Sequence, residues 1–132
     1  MKVVVAVIVD DQQRMLITRR PLHASHGGMW EFPGGKVEQD ETPIAALTRE
    51  LKEEVGLDVH GCEFLGEINH IYPQHPVLLL VYCVRHFSGV AVAREMQMDL
   101  RWVGMDSLGD FEFPEANQQI LEMIMAYTSH HN

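Results

Sequence analysis

Three glutamates on one predicted helix are the residues best placed to do chemistry. The segment after Thr42 is predicted to be helical and carries Glu50, Glu53 and Glu54. At about 100° per residue, the last two fall within roughly 60° of Glu50 on either side, so the three form one stripe. Like charges at this spacing destabilise a bare helix, whereas carboxylate oxygens are the ligands that Mg²⁺ prefers. The stripe therefore indicates either a metal site or, as for most glutamates on helices, a solvated face.

An arginine and two glycines lie close to this stripe. Arg49 lies about 40° beyond Glu53 around the helix, so its guanidinium can pair with a carboxylate and fix its rotamer. Gly34 and Gly35 come shortly before the helix. Because neither has a Cβ, the backbone there can approach a ligand closely. This combination favours the metal site over the solvated face.

The segment from Gly35 to Leu57 resembles the Nudix box, the signature of the Nudix hydrolases. It reads Gly35, five residues, Glu41, seven residues, and then Arg-Glu-Leu-Lys-Glu-Glu-Val-Gly-Leu from Arg49 onward. The match spans 23 residues and includes nine fixed or class-restricted positions. The resemblance implies hydrolysis of a nucleoside diphosphate linked to another group. It also implies a cofactor, Mg²⁺ or Mn²⁺, on the box helix.

The resemblance also assigns roles by position. The implied metal ligands are three carboxylates and one backbone carbonyl: Glu50, Glu53, Glu54 and Gly34. Arg49 would orient the glutamates, and Glu41 would tie the preceding loop to the helix. Metals neutralise phosphate oxygens and lower the pKa of a bound water, whose proton a carboxylate can take. We expect Glu50 to be this base. Glu95 is the rival base, an extra metal ligand or an ordinary acid of the loop over residues 90–99.

Further segments resemble the MutT type of Nudix enzyme. They are residues 16–20, residues 30–38 and residues 113–117. MutT-type enzymes hydrolyse 8-oxo-dGTP to 8-oxo-dGMP and pyrophosphate by attack at the β-phosphorus. The resemblance therefore predicts that this chain removes a mutagenic DNA precursor.

Asn117 matches the base-reading asparagine of this type. Guanine has acceptors at O6 and N7, and oxidation at C8 turns N7 into an N–H donor. One Asn amide can donate to O6 and accept from N7–H, whereas ordinary guanine leaves a polar mismatch. On position alone, Asn117 could instead be a helix cap.

Other nucleotide contacts are expected near this asparagine. Arg20 matches the family's nucleotide-contacting arginine, Glu31 is expected beside the base, and Phe32 either packs on the base or fills the core. Gly34 is expected next to the phosphates. A neighbouring strand could supply a wall of the base pocket or simply core residues: Leu78, Leu80 and Tyr82. The match is weaker at Ser25, where MutT enzymes can have a loop histidine.

Two alternatives to this function remain. One is a Nudix pyrophosphatase for another nucleoside triphosphate, such as CTP or a modified pyrimidine nucleotide. Asn117 disfavours this alternative, because an Asp at that position would be expected for it. The other is a non-catalytic Nudix-like recognition domain. Such domains usually have a degraded box, whereas every defined position is present here.

Several strands and two helices are needed to position these residues. Hydrophobic patterning predicts strands over residues 3–9, 14–19, 30–32, 62–72, 76–87 and 99–103. The first strand is expected to be covered on both faces and the second to run antiparallel to it. A helix is predicted between the cap at Thr42 and the stop at Gly56, and another over residues 115–127.

The inward helix faces are predicted from apolar spacing. On the first helix they are Ile44, Leu47, Leu51 and Val55, and on the second Ile120, Leu121, Ile124 and Met125. These elements predict an α/β fold, a Nudix-type α/β/α sandwich around a mixed β-sheet, with residues 1–132 forming one domain.

Charge and composition limit the partners. The net charge is −9, which disfavours a nucleic acid polymer but allows a small nucleotide whose phosphates are bridged by cations. The sequence contains no apolar run long enough to span a bilayer. Two cysteines without a CxxC pair favour reduced thiols. We therefore expect a cytoplasmic monomer that acts on a small nucleotide and does not bind a membrane.

Overall fold

The computed structural model describes residues 1–71 and 75–131. Seven strands occur in chain order: β1 (Lys2–Ile8), β2 (Arg14–Arg19), β3 (Trp30–Glu31), β4 (Gly34–Lys36), β5 (Asp58–Ile71), β6 (Pro76–Ser88) and β7 (Asp99–Gly104). The helices are α1 (Pro43–Val55), α2 (Glu115–His131) and a 3₁₀ helix (Met105–Asp110) that the sequence did not predict. The predicted end of the fourth strand, at residue 72, lies outside the described residues.

The strands form two sheets. In the larger, mixed sheet the order is β4-β1-β6-β5, with β1 parallel to β6 and the other pairs antiparallel. The smaller, antiparallel sheet has the order β3-β2-β7. The first two strands do run antiparallel, but they share only the bridge between Val9 and Met15. The predicted antiparallel direction is confirmed, and the two strands lie in different sheets because β4 and β6 occupy both edges of β1.

Strand β1 separates two halves of the core, because alternate side chains of a strand point to opposite faces. Val5 and Val7 pack in the cluster that contains residues of α2, and Val4 and Ala6 pack in the cluster that contains residues of α1. The prediction of a first strand covered on both faces is confirmed. The mixed sheet with a helix on each face also confirms the predicted α/β architecture.

Helix α1 begins and ends where its caps were predicted. The Thr42 hydroxyl accepts a hydrogen bond from the Ala45 N–H (3.1 Å), and Pro43 is the first helical residue. Gly56 has a φ of 74° and its N–H bonds to the Lys52 carbonyl (3.1 Å). This left-handed conformation favours glycine and ends the helix shortly before β5.

Two residues predicted to face inward are exposed. Ile44, in the first turn of α1, is 53% exposed, and the buried face of this helix begins at Ala46. Met125 of α2 is 61% exposed, whereas Ile120 and Ile124 are buried. At about 100° per residue, Met125 is rotated well away from Ile124, so the apolar face is narrower than predicted.

Both cysteines are free, Cys62 half-buried and Cys83 buried. In the described part of the chain, no helix has the length and apolar character needed to cross a membrane.

Candidate active site

The guanidinium of Arg49 connects the loop before α1 with the glutamates on that helix. Its Nε and Nη2 donate to the two carboxylate oxygens of Glu41 at 2.8 and 3.0 Å. Its Nη1 donates to Glu50 at 2.9 Å and to Glu53 at 3.3 Å, and its Nη2 also donates to the Lys36 carbonyl at 3.0 Å. One planar group therefore fixes the rotamers of several carboxylates, as Arg does in bidentate pairs.

The pair between Glu41 and Arg49 shifts both pKa values. Hydrogen bonds from the Arg49 side chain lower the pKa of Glu41 to about 2, and the same bonds raise the pKa of Arg49. Glu41 is therefore ionised in the folded protein over the whole physiological range. Its position supports a structural role in which it holds the loop against α1.

This pair predicts a pH-dependent loss of stability in Glu41→Gln. Because the pKa is lower in the folded protein than in the unfolded chain (about 4.3), the pair stabilises the fold fully at neutral pH. The stabilisation is lost as the pH falls from about 5 toward 2. Urea denaturation should show a lower free energy of unfolding for the variant at pH 7 and a shrinking difference toward pH 3.

The matched control for this prediction is Glu38→Gln. Glu38 is largely exposed and lies 3.9 Å from Arg49, so this change should affect stability little. A difference between Glu41→Gln and wild type that stayed constant from pH 7 to pH 3 would contradict the assignment.

The sequence left a solvated face open for the glutamate stripe, but Glu54 is buried. It is 8% exposed, and its carboxylate accepts a hydrogen bond from the Gly34 N–H at 3.0 Å. Burial, together with the charges of Glu31, Glu50 and Glu95, raises the pKa of Glu54 to about 8. The helix therefore holds a carboxylate in a place where negative charge is poorly solvated.

Glu50 is half-buried and lies against the backbone of β4. Burial raises its pKa, while the hydrogen bond from Arg49 opposes that shift. A Cβ built on Gly35 would overlap the Glu50 carboxylate, and one on Gly34 would overlap the Val4 carbonyl. Both glycines are therefore required by close packing, one against a candidate ligand and one against β1.

The donor set fits a hard divalent cation by its chemistry. Glu50, Glu53 and Glu54 offer carboxylate oxygens. Burial, and after it the neighbouring carboxylates, raises the pKa of Glu54, and a bound cation would favour the charged form of this side chain. Within the described ranges, no three His, Cys, Asp or Glu side chains converge into a ready metal cluster. Arg49 instead holds the carboxylates of Glu50 and Glu53 by hydrogen bonds. These side chains would therefore have to move before they could bind a metal ion together with Glu54.

A cleft of about 230 Å³ includes Gly34 and Gly35 in its lining, and glutamates of α1 pack on these two glycines. All five residues predicted to contact a nucleotide line it: Arg20, Glu31, Phe32, Gly34 and Asn117. They come from the end of β2, from β3 and β4 with their connection, and from the first turns of α2. Phe32 lines the cleft and also belongs to the core. It is 4% exposed, and its ring stacks on that of Phe113 with the ring centroids 5.5 Å apart.

Arg20 and Glu31 form an ion pair in this cleft. The Arg20 Nη1 donates to Glu31 at 2.7 Å, and its Nε donates to the Ser25 carbonyl at 2.6 Å. Glu31 also interacts electrostatically with Glu54. The pair thus lines the cleft, and the charge of its glutamate acts on a carboxylate of α1.

The sequence left two roles open for Leu78, Leu80 and Tyr82, and the core role is confirmed for Leu80 and Tyr82. Leu79 lines the cleft, whereas Leu80 and Tyr82 are buried in the cluster on the α1 side and Leu78 packs against that cluster. The parallel register of β6 with β1 decides which alternate set faces α2. Sequence reasoning also missed Ala116 and Ile120 of α2, for which the apolar period was the available signal.

Glu95 lies on the exposed segment between β6 and β7, outside regular secondary structure. Its charge acts on both Glu50 and Glu54 and raises their pKa values. The structure therefore brings this loop acid to the same side of α1 as the buried glutamates.

Comparisons with known proteins identify the family of this chain. The NUDIX domain family matches residues 4–123. The chain is 44% identical over 82 residues to the 8-oxo-dGTP diphosphatase of Proteus vulgaris, with 62% of this chain and 73% of that protein covered. It is 31% identical to the Escherichia coli 8-oxo-dGTP diphosphatase over 121 residues, with 92% and 93% covered.

A CTP pyrophosphohydrolase of Escherichia coli is also similar, at 34% identity over 131 residues with 93% of this chain and 90% of that protein covered. Among solved structures, one from a study of MutT from Aliivibrio salmonicida and Vibrio cholerae has a TM-score of 0.84 and 33% identity. The comparison covers 96% of this chain and 99% of that one.

Proposed function

The chain belongs to the Nudix family, and we propose that it hydrolyses 8-oxo-dGTP to 8-oxo-dGMP and pyrophosphate. The observation that carries the proposal is that Asn117 lines the same cleft as Gly34 and Gly35, on which glutamates of α1 pack. Base recognition and phosphate chemistry would then occupy adjoining parts of one site. We also propose that the protein is a cytoplasmic monomer and that its substrate is a small nucleotide.

The proposed metal is Mg²⁺, with Mn²⁺ as a substitute. Its proposed ligands are the carboxylates near α1 and the Gly34 carbonyl: Glu50, Glu53, Glu54, Glu95 and Gly34. When bound, it neutralises phosphate charge and lowers the pKa of an attacking water. The support for this set is its oxygen chemistry and the crowded negative charge around the buried Glu54.

Proton transfer is assigned to Glu50, with Glu95 as the other candidate. Glu50 is half-buried and hydrogen-bonded to Arg49, which restricts the directions in which its carboxylate can turn to accept a proton from water. Arg49 is a positioning residue because it orients Glu50 and Glu53. Arg20, already paired with Glu31, is placed to contact the nucleotide.

Asn117 is the proposed base reader. Its amide can donate to O6 and accept from the N7–H that oxidation creates, whereas N7 of ordinary guanine is an acceptor. The half-buried position of Asn117 makes a mismatch costly, because an unpaired polar group loses water without gaining a partner. The aromatic ring of Phe32 and the side chain of Leu79 supply apolar surface for the base.

The second candidate function is hydrolysis of CTP or a modified pyrimidine triphosphate, which the similarity to the CTP pyrophosphohydrolase favours. A panel of ordinary and 8-oxo nucleoside triphosphates with Mg²⁺ separates the two by kcat/KM. We expect 8-oxo-dGTP to be preferred over dGTP. If CTP is best, or 8-oxo-dGTP is no better than dGTP, the proposed specificity is wrong.

Reaction in ¹⁸O-water tests the proposed bond cleavage. Attack at the β-phosphorus places the label in pyrophosphate, and attack at the α-phosphorus places it in the nucleoside monophosphate. We expect label in pyrophosphate.

The packing of Glu50 on β4 predicts the effect of Gly35→Ala. The added methyl group must displace the Glu50 carboxylate, so kcat should fall roughly tenfold or more, a typical effect when groups that orient metal ligands are disturbed. Steady-state kinetics would measure this change. Gly109→Ala is the matched control, since nothing lies within 4 Å of its Cβ position. Equal kinetics in both variants would show that Glu50 does not depend on this contact.

A further inference from the structure

The segment over residues 89–98 docks on the C-terminal end of α1. The Val92 N–H donates to the Val55 carbonyl at 3.0 Å, and the Arg94 N–H donates to the Glu54 carbonyl at 3.0 Å. The Arg94 side chain also donates to the Lys52 carbonyl at 3.3 Å. Carbonyls in the last turn of a helix have no partner within the helix, so these bonds satisfy them and tie the segment to α1.

The side chain of Gln97 bonds both to its own segment and to α1. The Gln97 Oε1 accepts a hydrogen bond from the Glu95 N–H at 2.7 Å, and its Nε2 donates to the Glu54 carbonyl at 3.1 Å. Only this orientation of the amide gives both bonds, because the N–H needs an acceptor and the carbonyl needs a donor. Gln97 is half-buried, in contrast to its exposed neighbours on either side.

These contacts restrict the backbone at Glu95. The residue before it, Arg94, and the side chain of Gln97 both bond to the same Glu54 carbonyl. The Glu95 N–H is itself held by Gln97, so Glu95 is fixed relative to α1 although it lies on an exposed segment. The position of its carboxylate matters because its charge reaches both Glu50 and Glu54.

We propose that Gln97 is a positioning residue, whose amide ties the backbone of Glu95 to the Glu54 carbonyl and thereby restricts where the Glu95 side chain can reach from the end of α1. This inference rests on the proposed function, in which Glu95 is a metal ligand or the rival base. Gln97 does not touch the nucleotide in this role. It acts through Glu95, and its removal should therefore matter only while Glu95 carries its carboxylate.

The first test needs no metal and no turnover. Amide hydrogen exchange at Glu95, measured by NMR, reports the bond that Gln97 accepts. In Gln97→Ala the protection of this amide should fall roughly tenfold or more, and in Gln97→Glu, which keeps an acceptor, it should fall less. Unchanged protection at Glu95 in Gln97→Ala overturns the proposal.

The second test is a double-mutant cycle on kcat. Gln97→Ala should lower kcat roughly tenfold with KM within about twofold, and adding it to Glu95→Gln should cause little further loss. Gln97→Glu should also lower kcat, because it loses the donor to the Glu54 carbonyl. If the losses from Gln97→Ala and Glu95→Gln multiply in the double variant, Gln97 does not act through Glu95.

Gln12→Ala is the control, since Gln12 is exposed in the turn between β1 and β2. It should leave both kcat and the exchange protection of the Glu95 amide unchanged.

The proposed function and the proposed role of Gln97 can fail separately. If the wild-type protein shows no metal-dependent hydrolysis, the proposed function is wrong, but the hydrogen-exchange test of Gln97 still applies. If the wild-type protein hydrolyses its substrate normally and Gln97→Ala leaves amide exchange at Glu95 unchanged, only the proposed role of Gln97 is wrong.

Discussion

Glu53→Gln is expected to lower kcat about 1,000-fold with 8-oxo-dGTP and Mg²⁺, equivalent to about 4 kcal/mol. The amide keeps the shape of the side chain but loses the charge that holds the metal. Glu53 is 51% exposed and makes one 3.3 Å contact with Arg49, so its loss should disturb the fold little. Steady-state kinetics together with a Tm measurement would separate the chemical effect from any unfolding.

The control for this prediction is Glu122→Gln, which makes the same charge change on an exposed position of α2. It should retain wild-type kcat. Full turnover in Glu53→Gln, or turnover by the wild-type protein without any divalent ion, would remove the basis of the proposed mechanism. Retained binding of nucleotide without hydrolysis in the wild-type protein would instead favour a recognition domain.

Asn117→Ala is expected to reduce the preference for 8-oxo-dGTP over dGTP about 10- to 100-fold. The side chain supplies the donor and acceptor that match the oxidised base, and a buried polar mismatch costs about 1–3 kcal/mol. The loss should appear in kcat/KM for 8-oxo-dGTP, with a much smaller change for dGTP. The measurement is competition between the two substrates at fixed Mg²⁺.

Asn69→Ala is the matched control, because Asn69 is exposed on β5. Its preference should equal that of the wild type. Asn117→Asp adds a second comparison, since its carboxylate accepts hydrogen bonds only and suits the N4 amino group of cytosine. CTP should therefore gain relative to 8-oxo-dGTP in this variant. An unchanged preference in Asn117→Ala would show that another residue reads the base.

Helix α1 shows what local sequence can predict. Its caps at Thr42 and Gly56 and the stripe formed by Glu50 and Glu53 all follow from contacts within one segment, and the structure contains them where the sequence predicts them. The match to the Nudix box spans this same segment. Cap preferences and the 3.6-residue period act over a few residues, so they can be read without knowing the rest of the fold.

The cleft shows what depends on the assembled fold. The sequence named Arg20, Glu31 and Asn117, which lie far apart along the chain, through a resemblance and not through geometry. It left two roles open for the residues of β6, a wall of the cleft or core. The pairing of β6 with β1 decides that Leu80 is core and that Leu79 faces the cleft. A shift of one residue turns every side chain of a strand to the other face.

The sequence by itself determined the Nudix box, the helical spacing of its carboxylates and the caps of the helix that carries them. Only the tertiary structure decided that Glu54 is buried against β4, that Glu95 approaches α1 and that Gln97 ties the two together. The physical reason is range. Helix formation is governed by neighbours within one or two turns, whereas burial and loop docking depend on segments that are distant in sequence and meet only when the chain has folded.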